Sequence, residues 1–279
     1  MKYNFKDKVV LITGSASGIG KIMTRKVLEK GAKEIVMLDY NLVGMNQVIS
    51  EFVHFGKTIH TYQVDLSQQN QVLTVIEKVK ADIPKVDVVI NNAGIIVGKY
   101  FTEHTIKDIN NTMQINTLSL MLLTNAFMPD MVNRNEGVIC NIASIAGLTS
   151  TPKMAAYVTS KWAVVGFSET LWLEMKQLNK DVIINCVMPF YINTGMFDGV
   201  KSKVFPILGP EKVSTKIISN IEKGKFRTPM PVPYWFIRSA QALLPNKIYD
   251  FVMGDIFGIY DSMEDFKGRK KINIKKSEG

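Results

Sequence analysis

Tyr157 and Lys161 stand four residues apart, one turn along the same face of a helix. A phenol beside an ammonium suits proton transfer. Free tyrosine, with a pKa of about 10, ionises too little near neutrality, and a neighbouring positive charge lowers that value. Such a pair can take the hydroxyl proton from an alcohol while hydride leaves the adjacent carbon. With nine tyrosines in the chain the spacing alone is weak, and position adds the weight. The pair opens the helical stretch that follows an apolar run ending at Ser144. Ser144 is expected to hold the substrate oxygen. Asn116, in MQINTLS on the preceding helix, is expected to kink that helix and to order a water relaying protons from Lys161. Singly, Ser144 reads equally well as a helix cap, Asn116 as a structural amide and Lys161 as a solvated side chain. The four together define a catalytic constellation.

Hydride needs an acceptor, and the chain carries a site for one near its start. Thr13-Gly14-Ser15-Ala16-Ser17-Gly18-Ile19-Gly20 joins an apolar run to a helical stretch. Gly14 permits a tight turn, Gly18 lets backbone approach a pyrophosphate, and Gly20 lets helix pack on strand. The helix N-terminus then offers N–H groups to phosphate oxygens. Asp39 ends the next apolar run, where a carboxylate accepts both hydroxyls of the adenosine ribose and repels a 2′-phosphate. No basic residue follows it, so the cofactor expected is NAD, with NADP disfavoured. Asp65 and Leu66 are placed at the adenine. Asn92, Ala93 and Gly94, in Asn91-Asn92-Ala93-Gly94, leave room for the cofactor to cross the sheet edge.

These groups must be carried by alternating elements. Runs 9–13, 34–38, 58–64, 86–90, 137–143 and 181–188 read as strands, with 226–230 as a seventh. Between most of them lie helical stretches at about 18–30, 41–55, 68–81, 103–133 and 155–178, and another covers 210–223. Strands apolar on both faces and joined by helices predict an α/β protein, one doubly wound Rossmann domain on a parallel sheet. Residues 190–225 are expected to form the substrate loop and helices. Residues 231–266 form an aromatic-rich helical extension that includes Tyr234, Trp235, Phe236, Phe251 and Phe257.

Composition narrows the functions further. The two cysteines sit in apolar runs and only three histidines occur, so no metal site is expected. No 18-residue apolar run is present, and the first strand follows the start too closely for a signal peptide, so a cytoplasmic protein is expected. Residues 267–279 hold six Lys/Arg against one acid and supply more than half of the net charge of +9. That tail is read as a solvated end and not as a nucleic-acid contact. With the aromatic segment before it, it leaves peripheral membrane contact open.

TGSASGIG, Asp39, Asp65, NNAG, Asn116, Ser144, YVTSK and PFYINT together resemble the short-chain dehydrogenase/reductase family over residues 6–200. The resemblance implies a Rossmann fold, a catalytic tetrad of Asn116, Ser144, Tyr157 and Lys161, and contacts from Tyr157 and Lys161 to the cofactor. It also implies nicotinamide contacts from Pro189, Ile192 and Thr194, and a homodimer or homotetramer built on the helices at 103–133 and 155–178. Where the family usually has glycine after that proline, this chain has Phe190. SKWAVVGFSETL, INTGMFDGV and the aromatic C-terminus are similar to the retinol and hydroxysteroid dehydrogenase branch. The substrate expected is a small apolar alcohol or carbonyl compound, in a pocket of Ile95, Val97, Leu148, Met154, Phe190, Met196 and Phe197. Two alternatives are a 3-oxoacyl-thioester reductase, disfavoured by Asp39, and a silent dinucleotide-binding module, disfavoured by the intact tetrad.

Overall fold

The structure is a computed structural model and describes residues 2–231 and 237–268. Seven strands form one sheet: β1 (Val9–Thr13), β2 (Glu34–Asp39), β3 (Thr58–Gln63), β4 (Val88–Asn91), β5 (Gly137–Ile142), β6 (Val182–Pro189) and β7 (Arg227–Met230). They lie in the order β3-β2-β1-β4-β5-β6-β7, and every pairing is parallel. The sequence steps outward from β1 to β3, then returns to β4 on the other side of β1. That reversal opens a crevice above the C-terminal ends of β1 and β4.

Strands β1, β4, β5 and β6 are buried at every position, as their unbroken Val/Ile runs require when helices cover both faces. One face packs against α1 (Gly18–Glu29), α2 (Leu42–Phe52) and α7 (Pro210–Glu222). The other packs against α3 (Gln69–Asp82), α5 (Ser119–Arg134) and α6 (Ala155–Gln177). Val10 and Ile12 point to the first layer, Val9 and Leu11 to the second, as a period of two dictates.

The long helix expected at 103–133 is divided. A 3-10 turn, Phe101–Glu103, comes first, and α4 (Ile106–Met113) starts at Thr105. There Thr105 and Asp108 exchange side-chain-to-backbone bonds of 3.1 and 2.9 Å as a capping box. A π turn, Gln114–Leu118, then widens the helix before α5, and Ser119 N–H reaches back to Gln114 O. Asn116 lies inside that turn. Leu120, Leu123, Phe127 and Leu171, on the two helical stretches expected to build an oligomer, are buried within the chain itself. Ile106, Leu118, Met121, Trp162, Leu173 and Leu178 are the large apolar side chains these stretches leave exposed.

Beyond β7, α8 (Ile237–Leu243), α9 (Asn246–Phe251) and a second π turn, Val252–Ile256, form the C-terminal extension. Tyr249, Met253, Ile259 and Met263 pack into the same apolar cluster as Tyr157 and Phe190. Leu243, Ile248, Phe251 and Ile256 face outward. Tyr234, Trp235, Phe236 and the tail from Arg269 lie outside the described residues. Among the described residues no helix is long and apolar enough to cross a membrane, and no group of His, Cys, Asp and Glu could hold a metal ion.

Candidate active site

The turn from β1 into α1 is shaped by glycine. Gly14 and Gly18 adopt φ of +64° and +57°, the left-handed region that a Cβ disfavours. A Cβ on Gly14 would also meet Ala93 Cα at 3.0 Å, and one on Gly20 would stand 2.0 Å from Gly14 O. Thr13 Oγ1 accepts the backbone N–H of both Asn92 and Ala93 at 2.9 Å. Asn92 Nδ2 returns bonds to Thr13 O (2.9 Å) and Gly14 O (3.1 Å). The tips of β1 and β4 are thereby laced together beneath the crevice.

Asp39 is buried, at 6% exposure, and both of its oxygens are fixed by backbone donors. Oδ2 accepts from Ala16 N at 2.9 Å and Oδ1 from Asn41 N at 3.0 Å. The carboxylate is thus anchored between the glycine turn and the end of β2, and its remaining lone pairs are available to ribose hydroxyls. Asp65 caps its own turn, accepting from Ser67 N at 2.9 Å. Ser15 Oγ is buried in the glycine turn with no hydrogen-bond partner in the structure. The backbone donors of the turn, the buried carboxylate and the cradle without Cβ atoms fit a dinucleotide.

A cavity of about 450 Å³ runs from this turn to Ser144, Tyr157 and Lys161. Gly14, Ser17, Gly18, Ile19, Asp39, Asp65 and Leu66 line its first half. Asn92, Ala93, Gly94 and Ile95 line its floor. Ser144, Tyr157, Lys161, Pro189, Phe190, Ile192, Thr194, Met196 and Phe197 line the far half. Ser15 and Gly20 do not line it, since both face inward to hold the turn. Val97, Leu148 and Met154, expected in the substrate pocket, do not line it either. Leu148 and Met154 belong to the core cluster that the C-terminal extension completes, and Val97 is half-buried away from the lining. Tyr40, Ser67, Asn111 and Ile115 do line the cavity and escaped the sequence reading. Asn111 lies in α4 and Ile115 in the π turn that follows it.

At the catalytic end, Tyr157 and Lys161 come from the first turns of α6, and Ser144 from the 3-10 turn after β5. Lys161 Nζ donates to Ile142 O at 2.8 Å and lies 5.7 Å from the centroid of the Tyr157 ring. Burial disfavours the ammonium and pushes Lys161 down to about 8. Burial also dominates at Tyr157 and holds its hydroxyl well above the ordinary phenol value, against a smaller downward pull from hydrogen bonding with Ser144. The lowering of Tyr157 expected from sequence is therefore absent from the chain by itself. Ser144 Oγ accepts from Ala146 N at 3.1 Å and donates to Pro189 O at 3.4 Å, which joins the β5 and β6 loops. Asn116 does not line the cavity. It sits one layer behind, its Oδ1 accepting from Ile95 N at 2.8 Å and its Nδ2 donating to Ile95 O at 2.9 Å.

A switch-point crevice with a glycine turn, a ribose-height acid and a Ser–Tyr–Lys cluster defines a dinucleotide-dependent dehydrogenase. Comparison with known proteins agrees. The short chain dehydrogenase family model matches residues 8–204. The human epidermal retinol dehydrogenase 2 is 32% identical over 273 residues, covering 96% of this chain and 88% of that protein. The human estradiol 17-beta-dehydrogenase 11 is 30% identical over 261 residues, covering 93% and 87%. A short chain dehydrogenase/reductase from Burkholderia phymatum, solved in complex with NAD, superposes with a TM-score of 0.78 at 24% identity, covering 88% of this chain and 97% of that one. The chain belongs to the short-chain dehydrogenase family, and its sequence resembles the retinol and hydroxysteroid members. It is an oxidoreductase that acts on CH–OH groups with a nicotinamide dinucleotide.

Proposed function

We propose that this chain interconverts an apolar alcohol and its carbonyl compound with NAD(H), using Tyr157 as general acid and base. One observation carries the reading: a single cavity holds Asp39 at one end and Ser144, Tyr157 and Lys161 at the other. Among its lining residues the charged ones are Asp39, Asp65 and Lys161, and only Lys161 is beside Tyr157. The walls around Tyr157 are Ile95, Phe190, Met196 and Phe197, which suit apolar surface and leave one polar point of attachment. The dinucleotide, when bound, supplies the hydride acceptor for oxidation and the donor for reduction.

The protein's part is positional and protonic. Ser144 Oγ holds the substrate oxygen beside the Tyr157 hydroxyl. In oxidation the ionised Tyr157 oxygen takes the hydroxyl proton of the substrate. In reduction Tyr157 gives its proton to the carbonyl oxygen. A phenol kept protonated by burial is set for the second direction; the first needs the phenolate, which the positive charge of a bound oxidised nicotinamide together with Lys161, 5.7 Å from the ring centroid, would favour. Gly94, Gly14 and Ser17 would lie along the cofactor, with Pro189, Ile192 and Thr194 against its nicotinamide end. Asp39 would take the ribose hydroxyls and exclude a 2′-phosphate.

The test is fluorescence titration of NAD(H) and NADP(H), then turnover on retinoids, steroids and medium-chain alcohols by wild type and Tyr157→Phe. The expected result is at least about tenfold tighter NAD(H), and turnover lost by 10²–10⁴-fold in Tyr157→Phe, the range for general acid–base catalysis, with cofactor affinity kept. Tighter NADP(H), or turnover retained without the hydroxyl, overturns it.

A further inference from the structure

Ser160 lies between the two residues of the proton-transfer pair, has no exposed surface and does not line the cavity. Its hydroxyl donates to Tyr157 O at 2.7 Å. That local bond back along the helix is ordinary for serine and, alone, would be structural. A second bond crosses the molecule: Asn116 Nδ2 lies 3.0 Å from Ser160 Oγ. A hydroxyl has one proton, already given to Tyr157 O, so Ser160 accepts here. Asn116 gives its other amide proton to Ile95 O and accepts Ile95 N–H, which leaves no polar atom of that amide unassigned. Thr117 Oγ1 adds a bond to Ser160 O at 3.2 Å from the same π turn.

These bonds converge on the cavity floor. Ile95 follows Gly94, and a Cβ on Gly94 would stand 3.4 Å from Asn116 Oδ1 and 3.6 Å from Lys161 Nζ. The floor, the π turn and the first turn of α6 therefore meet at one point. We infer that Ser160 is a positioning residue for the reaction. It locks Asn116 and the π turn to the helix turn bearing Tyr157 and Lys161, and so sets the distance from the Gly94–Ile95 floor to the proton-transfer pair. This rests on the assignment of Tyr157 and Lys161 proposed above.

The experiment measures kcat, KM, cofactor Kd and Tm for Ser160→Ala, Asn116→Ala and the double variant, with Tyr157→Phe as control. Ser160→Ala is expected to lower kcat about tenfold, since misplacement by around 1 Å costs up to 10²-fold, with cofactor Kd within about twofold. In the Asn116→Ala background the same change should cost less than about twofold, because residues in one network are non-additive. Ser160→Thr, which restores the hydroxyl, should recover most of the lost kcat. Ser160→Cys, which keeps the volume and a weak donor, gives the same comparison if the alanine protein is too unstable to assay. A fall in Tm with kcat unchanged, or fully additive losses, overturns the inference. If Tyr157→Phe stays active the catalytic assignment fails; if it is dead while Ser160→Ala keeps full kcat, only the role of Ser160 fails.

Discussion

The two halves of the cavity are built by different means. At the end proposed for adenosine the groups are held by the turns that follow β1 to β4: Asp39 by Ala16 and Asn41, Asp65 by Ser67, and the glycine turn by Asn92. At the end proposed for the substrate the wall is held by the C-terminal extension. Tyr191 pairs with Ser262 at 2.9 Å and Thr149 with Tyr249 at 3.1 Å, across separations of 71 and 100 residues. Lys201 N also donates to Ser262 O, and Lys267 N to Asp198 O, which clasps the loop after β6. Retuning substrate choice would fall to the C-terminal extension and retuning cofactor choice to residues near β1 and β2.

The sharpest test of the catalytic end is Lys161→Met. Activity should fall by at least 10²-fold, within the range for loss of acid–base function. Stability should move the other way. Lys161 is buried and its folded-state pKa, about 8, lies below the ordinary 10.5. At neutral pH the folded protein bears a charge it disfavours, a penalty on the order of 3 kcal/mol at 1.36 kcal/mol per pKa unit. Between pH 8 and 10.5 the folded chain holds fewer protons than the unfolded chain, so wild type gains stability relative to the variant as pH rises. Thermal melts of both proteins at pH 7 and pH 10 should show Lys161→Met ahead at pH 7, with the gap shrinking at pH 10. A gap that widens with pH contradicts the buried-ammonium account.

At the adenosine end Asp39→Ala should loosen NAD(H) by about tenfold, as expected when a carboxylate hydrogen-bonded to both ribose hydroxyls is lost, since bonds to charged groups contribute about 1.5–3 kcal/mol. NADP(H) should bind no worse, and kcat at saturating NAD should change little. The same titrations used for cofactor preference measure this. If kcat falls as steeply as affinity, the two halves are not separable.

Sequence reading covered these halves unequally, and for the same reason. All seven strands lie within a residue or two of their observed bounds: β1, β4, β5 and β6 are buried at every position and show as apolar runs between helical stretches, while the more exposed β3 and β7 show as short β-rich runs in the same alternation. Asp39, Asp65 and the glycines follow from distance to a strand end. One helix with a kink at Asn116 was expected where α4, the π turn and α5 stand; the kink is there, but spacing alone gave neither the break into two helices nor Asn111 and Ile115 in the cavity lining. Leu148 and Met154, expected in the substrate pocket, lie outside the cavity lining, because an apolar residue near Ser144 packs as readily on a distant segment as on a ligand. Only the C-terminal extension, packed against them, decides between the two.

The smallest effect expected is also the most specific to that extension. Ser262 Oγ donates to Ile259 O at 2.7 Å, so its single proton is committed and Tyr191 must donate across the 2.9 Å contact. Both side chains are buried, at 2% and 7% exposure. Ser262→Ala would strand the Tyr191 hydroxyl, at a cost of about 1–3 kcal/mol for an unsatisfied buried donor. Met154 Sδ, 3.9 Å away, is a poor substitute. Tyr191 packs on Phe197, whose ring stands edge-on to Tyr157 at 6.0 Å, so the disturbance ends at the substrate wall. KM for a bulky apolar alcohol should rise a few-fold, as expected when a loss of about 1 kcal/mol falls on the loop that shapes the pocket, while KM for a short alcohol stays near wild type. Cofactor Kd should not move. An equal change in KM for both alcohols, or a weakened NAD(H) complex, would show that the extension supports the whole cavity and not its substrate half.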